Sequence, residues 1–338
     1  MASRTKVLFL IAFLPFCLRA DDGAASIAAG GVVVMTREPR IVMAKEVLQI
    51  SVTKVIVDYD FRNDSDEDIT TTVAFPIPDY KMTEQEPSKQ GFDDFQLWVD
   101  GVPTRYVVET RAFLKETEYT GLLTEMNVDI GSFGHSTDFD HSLDVLRLMA
   151  AQRKKLVNAG LIDKDDDGGT RANGQPLWRV KKKYYWQQTF PAHKTVHVRH
   201  VYTPVLGWSN SIKYALGRNP SDRTSIEEMR SFCIDGALNK TLQQIADSKE
   251  KDGPYSYVDF ILTTANTWKT PIEDFTLVVE RPHWKNVRGE SDLADYVSFC
   301  WDGPVTKIDA DHFSAHAVNL VPSKELRIGF LRILRYGS

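Results

Sequence analysis

Between residues 55 and 108 the chain alternates large apolar and polar side chains with a period of two, and this pattern limits the available folds sharply. Val55, Val57, Tyr59 and Phe61 alternate with mostly polar neighbours, as on a strand with one buried face. After the acidic connection Asn63–Asp68, the residues Ile69, Thr71, Val73 and Phe75 repeat the pattern. Pro76 and Pro78 then stop the strand, because proline has no N–H to give to a ladder. Phe95, Leu97 and Val99 run into Asp100-Gly101, a two-residue hairpin signal, with Tyr106 and Val108 on the expected return strand. Alternation this dense predicts a mainly β (α+β) fold: β-sandwich-like domains of antiparallel strands with inserted helical segments.

The period changes near Lys115. Leu143, Leu146, Ala150 and Val157 keep a helical spacing, with Asp140 or Ser142 placed to cap the start and Gly160 to end it. Residues 163–176 are a polar loop rich in turn formers. Strands are predicted again over 178–190 and 195–202. The helical stretch, about 115–176, therefore reads as an insertion in an N-terminal β-sandwich-like domain of residues 21–205. A C-terminal segment, 206–338, opens with helices over roughly 225–230 and 236–248. It returns to strands over 257–262, 275–279 and 326–333.

Residues 1–20 read as an export signal. Arg4 and Lys6 precede an apolar run from Val7 to Leu18, and Ala20 is a small residue at an abrupt change to Asp21-Asp22-Gly23. A spanning helix needs about 20 apolar residues, so this run is too short, and Pro15 interrupts it. An uncleaved anchor is the alternative. Bulky Pro15 and Phe16 ahead of Cys17 argue against a lipoprotein. No second segment approaches spanning length. Cleavage after Ala20 removes Arg4, Lys6 and Arg19, making the mature chain three charges more acidic than the formal −5. A nucleic-acid binder would carry a basic surface, so that class is disfavoured. The compact basic run Lys181-Lys182-Lys183 reads as a solvated strand edge.

Cys17 leaves with the signal, and Cys233 and Cys300 remain in matched surroundings, Ser-Phe-Cys-Ile-Asp-Gly and Ser-Phe-Cys-Trp-Asp-Gly. An even pair in an oxidising compartment predicts a Cys233–Cys300 disulfide. Two buried free thiols are the alternative.

Several blocks resemble one family, the bacterial exported proteins grouped as domain of unknown function 4424. They are Ala29-Gly30-Gly31, Phe61-Arg62-Asn63, Asp68-Ile69-Thr70, Thr72 to Asp79, Tyr184 to Val205, Phe232 to Asp235, and Thr263 to Glu280. Asp21-Asp22 resembles the family's usual mature start. The resemblance implies export to the bacterial periplasm or beyond, and it carries no reaction onto any residue.

Several constellations are candidates for chemistry. Asp163, Asp165, Asp167 and Gly168 match the opening of a calcium loop, but its twelfth position is Gly174 instead of the bidentate Glu, which excludes a complete EF-hand. Asp64, Asp66 and Asp68 read as a hairpin tip with Asx-type turns. His135, Asp138, Asp140 and His141 crowd zinc-type ligands together, although helix capping and loop solvation explain the same residues. His193, His197 and His200 fail as a triplet. On a strand, His197 and His200 point to opposite faces, and His193 lies about 13 Å from His197. His200 shares a face with Val198 and Tyr202, which predicts a buried, hydrogen-bonded core histidine. Trp178, Tyr184, Tyr185, Trp186 and Phe190 form the densest aromatic segment. Trp178 and Tyr185 are its candidate ligand-stacking residues, against core packing as the alternative. There is no nucleophile elbow, H-E-x-x-H, C-x-x-C or phosphate loop.

These readings point to an exported, non-catalytic cell-envelope binding or accessory protein. Its expected partner is an envelope component or another exported protein. No cofactor is required, with calcium and zinc as the candidate ions. The alternative is a metal-assisted hydrolase of an envelope polymer using the 135–141 cluster.

Overall fold

The computed structural model describes residues 21–28, 32–81, 94–134, 137–138, 141–162, 175–209, 211–212, 227, 230–234, 236–247, 251–285, 292–332 and 334–335. The chain opens with two short strands, β1 (Gly23–Ile27) and β2 (Val33–Met35). The alternating segments follow as β3 (Ile41–Ile50), β4 (Val55–Asn63) and β5 (Ile69–Pro76). A hairpin comes next, β6 (Gln96–Val99) and β7 (Val102–Pro103), then β8 (Val107–Leu114) and β9 (Thr117–Glu118). Next come α1 (Thr120–Glu125), a small ladder of β10 (Thr137–Asp138) and β11 (His141–Ser142), α2 (Leu143–Leu146) and α3 (Ala150–Asn158). Two long strands return, β12 (Arg179–Phe190) and β13 (Thr195–Tyr202).

Beyond them lie β14 (Leu206–Ser209), α4 (Gly236–Asp247), β15 (Lys251–Asp252) and β16 (Tyr255–Phe260). A 3-10 helix, Thr263–Thr267, leads into β17 (Ile272–Glu280). The remaining strands are β18 (His283–Lys285), β19 (Asp292–Ala294), β20 (Tyr296–Phe299), β21 (Val305–Lys307), β22 (His312–Leu320), β23 (Leu326–Leu331) and β24 (Leu334–Arg335).

Three sheets hold most of the strands among the described residues, and β10–β11, β15–β24 and β18–β19 pair separately. A six-stranded sheet runs β2-β1-β5-β12-β8-β9, an eight-stranded sheet β21-β22-β17-β3-β4-β13-β6-β7, and a four-stranded sheet β14-β16-β23-β20. The two larger sheets face each other as a sandwich, because alternate residues of each are apolar and need a partner. β4 is buried at every second residue, and Phe61 meets Phe190 of the opposite sheet at 5.7 Å between ring centres. Phe95 stacks on Tyr184 at 4.0 Å. Phe75 reaches Phe260 at 6.2 Å, which ties the four-stranded sheet into the same core.

The Asp100-Gly101 turn has positive φ at both residues, 49° and 76°, as a tight hairpin of this hand requires. Its return strand is β7; Tyr106 lies beyond it, and Val108 belongs to β8 in the opposite sheet, beside β12. The predicted single helix is two, α2 and α3. Met149 adopts an extended backbone between them, and its N–H donates to Gln152 Oε1 at 2.8 Å. Gly160, at φ 69°, follows the end of α3 as expected.

The lysine run is not a solvated edge. β12 is internal, between β5 and β8, and Lys182 and Lys183 are buried. Lys183 Nζ donates to Val33 O at 2.6 Å and lies 3.3 Å from Glu109, while Lys181 sits over the Phe113 ring. The eight-stranded sheet also takes strands from both sides of residue 205. β17 runs parallel to β3, from Asp274 beside Lys45 to Val279 beside Ile50.

Candidate functional site

A cleft of about 230 Å³ opens where the six-stranded and four-stranded sheets meet. One wall follows from the prolines that end β5. Past Pro76 the chain stays alongside β12 through Ile77 N to Lys182 O, 3.0 Å, and a reciprocal pair between Tyr80 and Val180. This holds Pro78, Asp79 and Tyr80 beside Arg179. The other wall forms where β13 turns at Pro204 into β14, which pairs with β16, itself paired with β23. These strands contribute Tyr202, Val205, Gly207, Tyr257, Asp259 and Arg327. Gly207 has a steric reason: a Cβ there would overlap the Tyr257 ring.

Two arginines and two aspartates line the cleft. Arg327 donates to both Asp259 oxygens, at 2.5 and 2.7 Å, and its guanidinium lies 4.5 Å from the centre of the Tyr257 ring. A bidentate fork of this kind fixes both groups. Arg179 donates to the Asp79 carbonyl at 3.1 Å, and Lys181 Nζ approaches the Asp79 carboxyl at 3.5 Å. Burial pushes the Asp79 carboxyl above its ordinary pKa, against the pull of Lys181. The arrangement offers fixed donors, acceptors and tyrosine faces to a ligand bearing both charges.

A second polar group lies inside the sandwich. Asp21, Asp22 and Glu46 are fully buried, and burial pushes all three carboxyls well above the ordinary carboxylate range. Tyr59 donates to Asp21 Oδ1 at 2.6 Å. Two donors clamp the main chain: Thr264 Oγ1 to Asp21 O at 2.6 Å and Trp268 Nε1 to Asp22 O at 2.7 Å. His200 Nε2 lies 3.4 Å from Asp22 Oδ2, and neither ring nitrogen has a hydrogen-bond partner. His200 is thus buried on the predicted face but not hydrogen-bonded. Desolvation takes its pKa down to about 3, so at neutral pH the ring is uncharged, and burial also favours the neutral form of Asp22.

The candidates read from sequence fall elsewhere. Trp178 is buried, packs on Phe133, and its Nε1 donates to Ile130 O at 3.3 Å, so it is a core residue and presents no stacking face. Tyr185 is half-buried against Ala25, Val33 and Ala74. Asp163, Asp165 and Asp167 lie outside the described residues, as do His135, Asp140 and residues 1–20. Asp138 and His141 are placed by their backbone pairing in β10 and β11. Among the described residues no group of three His, Cys, Asp or Glu is arranged to hold a metal ion.

Asp64, Asp66 and Asp68 serve a hairpin tip: Arg62 binds Asp64, His193 meets Asp66 at 2.9 Å, and Asp68 accepts the Ala192 N–H. His197 lies between Asp58 and Asp60. Cys233 and Cys300 are at disulfide distance, with their Cα atoms 4.9 Å apart. The cleft escaped sequence reasoning because its residues are scattered from 78 to 327. Five of them, Pro78, Asp79, Tyr202, Pro204 and Val205, do lie in blocks of the family resemblance.

The family described as a domain of unknown function, DUF4424, matches residues 20–328, nearly the whole chain. No curated protein matches. Among solved structures, a putative nutrient binding protein from Legionella pneumophila subsp. pneumophila str. Philadelphia 1 is similar with a TM-score of 0.43 and 14% identity, over 87% of this chain and 68% of that one. No helix among the described residues is long and apolar enough to cross a membrane.

Proposed function

The chain belongs to the family of domain of unknown function 4424, and from that premise we propose an exported, non-catalytic cell-envelope protein that binds a small ligand of mixed charge. The observation that carries this reading is the cleft, with Arg179 and Arg327 set against Asp79 and Asp259 between tyrosine walls. A concave site with a few convergent polar groups on rigid strands is suited to ligand recognition. The short basic start, apolar run and Ala20 boundary support export, and the paired Cys233 and Cys300 fit an oxidising compartment. Cell-wall fragments bearing amino and carboxylate groups together are the ligand class that matches the cleft's charges.

The test is a thermal-shift screen of the chain from Asp21 onward against peptidoglycan peptides, amino sugars and free amino acids. A ligand that binds the folded state raises the melting temperature with concentration. The expected shift disappears in Arg327→Met. No shift with any of these classes, or an equal shift in Arg327→Met, sinks the reading.

A further inference from the structure

We infer that the buried carboxyls Asp21, Asp22 and Glu46 form the receptor for the chain's own new N-terminal ammonium, created when the leader is cut off after Ala20. The inference rests on the export reading above. All three carboxyls have no exposed surface, and Asp21 Oδ2 and both oxygens of Asp22 and of Glu46 have no hydrogen-bond partner. Among the described residues no lysine or arginine lies within ion-pair distance of them. The surroundings are aromatic and apolar, with Tyr59, Phe61 and Trp268 packed together. Carboxyls in such a place either keep their protons or take a cation, and a cation among them would let one ionise.

His200 does not supply it. Its ring is fully buried, aimed at Asp22 and unpartnered, and it stays neutral. The position of Asp21 does supply it. Hydrolysis breaks the Ala20–Asp21 amide C–N bond, with a leader peptidase as catalyst and water as co-reactant. The carboxylate leaves on Ala20, and the Asp21 nitrogen takes up protons to become an ammonium. That nitrogen belongs to a residue with no exposed surface, whose carbonyl and whose neighbour's carbonyl are held by Thr264 and Trp268.

The ammonium forms on the residue that carries one of the orphaned carboxyls and adjoins a second, with three N–H donors to offer them. One positive charge lets one carboxyl ionise, while burial favours the protonated form of the other two. The family match begins at residue 20, next to this start. Before cleavage the charge is missing, although β1 is already held beneath the 3-10 helix Thr263–Thr267, where Ala24 N donates to Thr267 Oγ1 at 3.1 Å; cleavage adds the ammonium to that hold.

The experiment compares the full mature chain beginning at Asp21 with the same chain carrying Ala20, each released from a fusion by a protease that leaves no extra residue. The α-amine is acylated with an amine-reactive ester, and the N-terminal peptide is weighed. The Asp21 amine should react on the order of 100-fold more slowly in the folded protein than in the urea-unfolded one, as expected of a group exposed through opening of the fold. The Ala20 chain should react readily and melt several degrees lower. Glu46→Gln in the Asp21 chain should narrow that melting gap, which a merely structural role for the first residues would not do.

An Asp21 amine that reacts like an exposed one, or equal melting of the two chains, overturns the inference. So does a stoichiometric metal ion whose removal by chelator lowers the melting temperature. N-terminal sequencing of the protein recovered from the cell envelope tests the export reading separately. A chain that keeps residues 1–20 overturns that reading, whereas a cut at another position, or a start at Asp21 with a reactive amine, overturns the ammonium receptor alone.

Discussion

Replacing His200 by Phe should flatten the acid side of the stability curve. The ring sits fully buried among Tyr59, Phe75, Phe95 and Trp186, with ring centres 4.9 to 5.5 Å away, and a phenyl ring fills nearly the same space. An unfolded histidine takes a proton near pH 6.5, whereas burial holds the native ring down to about 3. Between those values the unfolded chain binds a proton that the native state refuses, so stability falls as pH falls. At about 1.4 kcal/mol per pH unit, one such site costs roughly 2 kcal/mol on going from about pH 7 to about pH 5.

The buried carboxyls pull the other way. Their raised native pKa values stabilise the fold at low pH, and that stability is lost as pH rises above the ordinary carboxylate range. They are present in both proteins, so the difference between wild type and His200→Phe isolates the histidine. Urea midpoints for the pair, measured across this range, should diverge by about 2 kcal/mol toward acid, with Phe the more stable. At neutral pH the Phe variant should be no less stable, because it removes two ring nitrogens that lack partners. Parallel pH curves would refute the neutral, desolvated histidine.

Three further outcomes are expected. Replacing Cys233 and Cys300 together by Ser should cost about 4 kcal/mol in the chain-entropy model for a 67-residue separation, read as a lower melting temperature that reductant no longer changes. Gly207→Ala drives a methyl group into the Tyr257 ring and should cost about 1–3 kcal/mol, read as a lower urea midpoint at unchanged slope. Arg62→Met breaks the bonds to Glu273 at 2.8 and 2.9 Å, yet both groups are over a third exposed, so the loss should stay under about 1 kcal/mol and shrink with salt.

What the sequence disclosed was local. The alternation in β4 and β13 needs no partner to be seen, and it placed Val57, Tyr59, Val198 and His200 on the buried face. The Asp100-Gly101 turn carries its own backbone requirement. Strand order is different, because it depends on distant segments. The lysines of β12 look like an edge until β5 and β8 are found on either side, with Glu109 and Val33 O to satisfy Lys183. The cleft was hidden for the same reason, being closed by Arg327 and Asp259 against Asp79 and Arg179. Asp21 and Asp22 read as the polar flank of a cleavage point. Their burial depends on Tyr59 and on Trp268, which lies 246 residues beyond Asp22.

The parallel alignment of β17 with β3 also sets an order of events. Synthesis delivers residues 41–50 more than two hundred residues before the neighbour they need. Until residues 272–280 arrive, one side of β3 is an open edge of unpaired backbone, a template for pairing with other chains. Closure over so long a separation is intrinsically slow. The nascent chain therefore passes through an aggregation-prone window that ends only when residues 272–280 are available. A chaperone that shields extended segments would matter most in that interval, and least once β17 has docked.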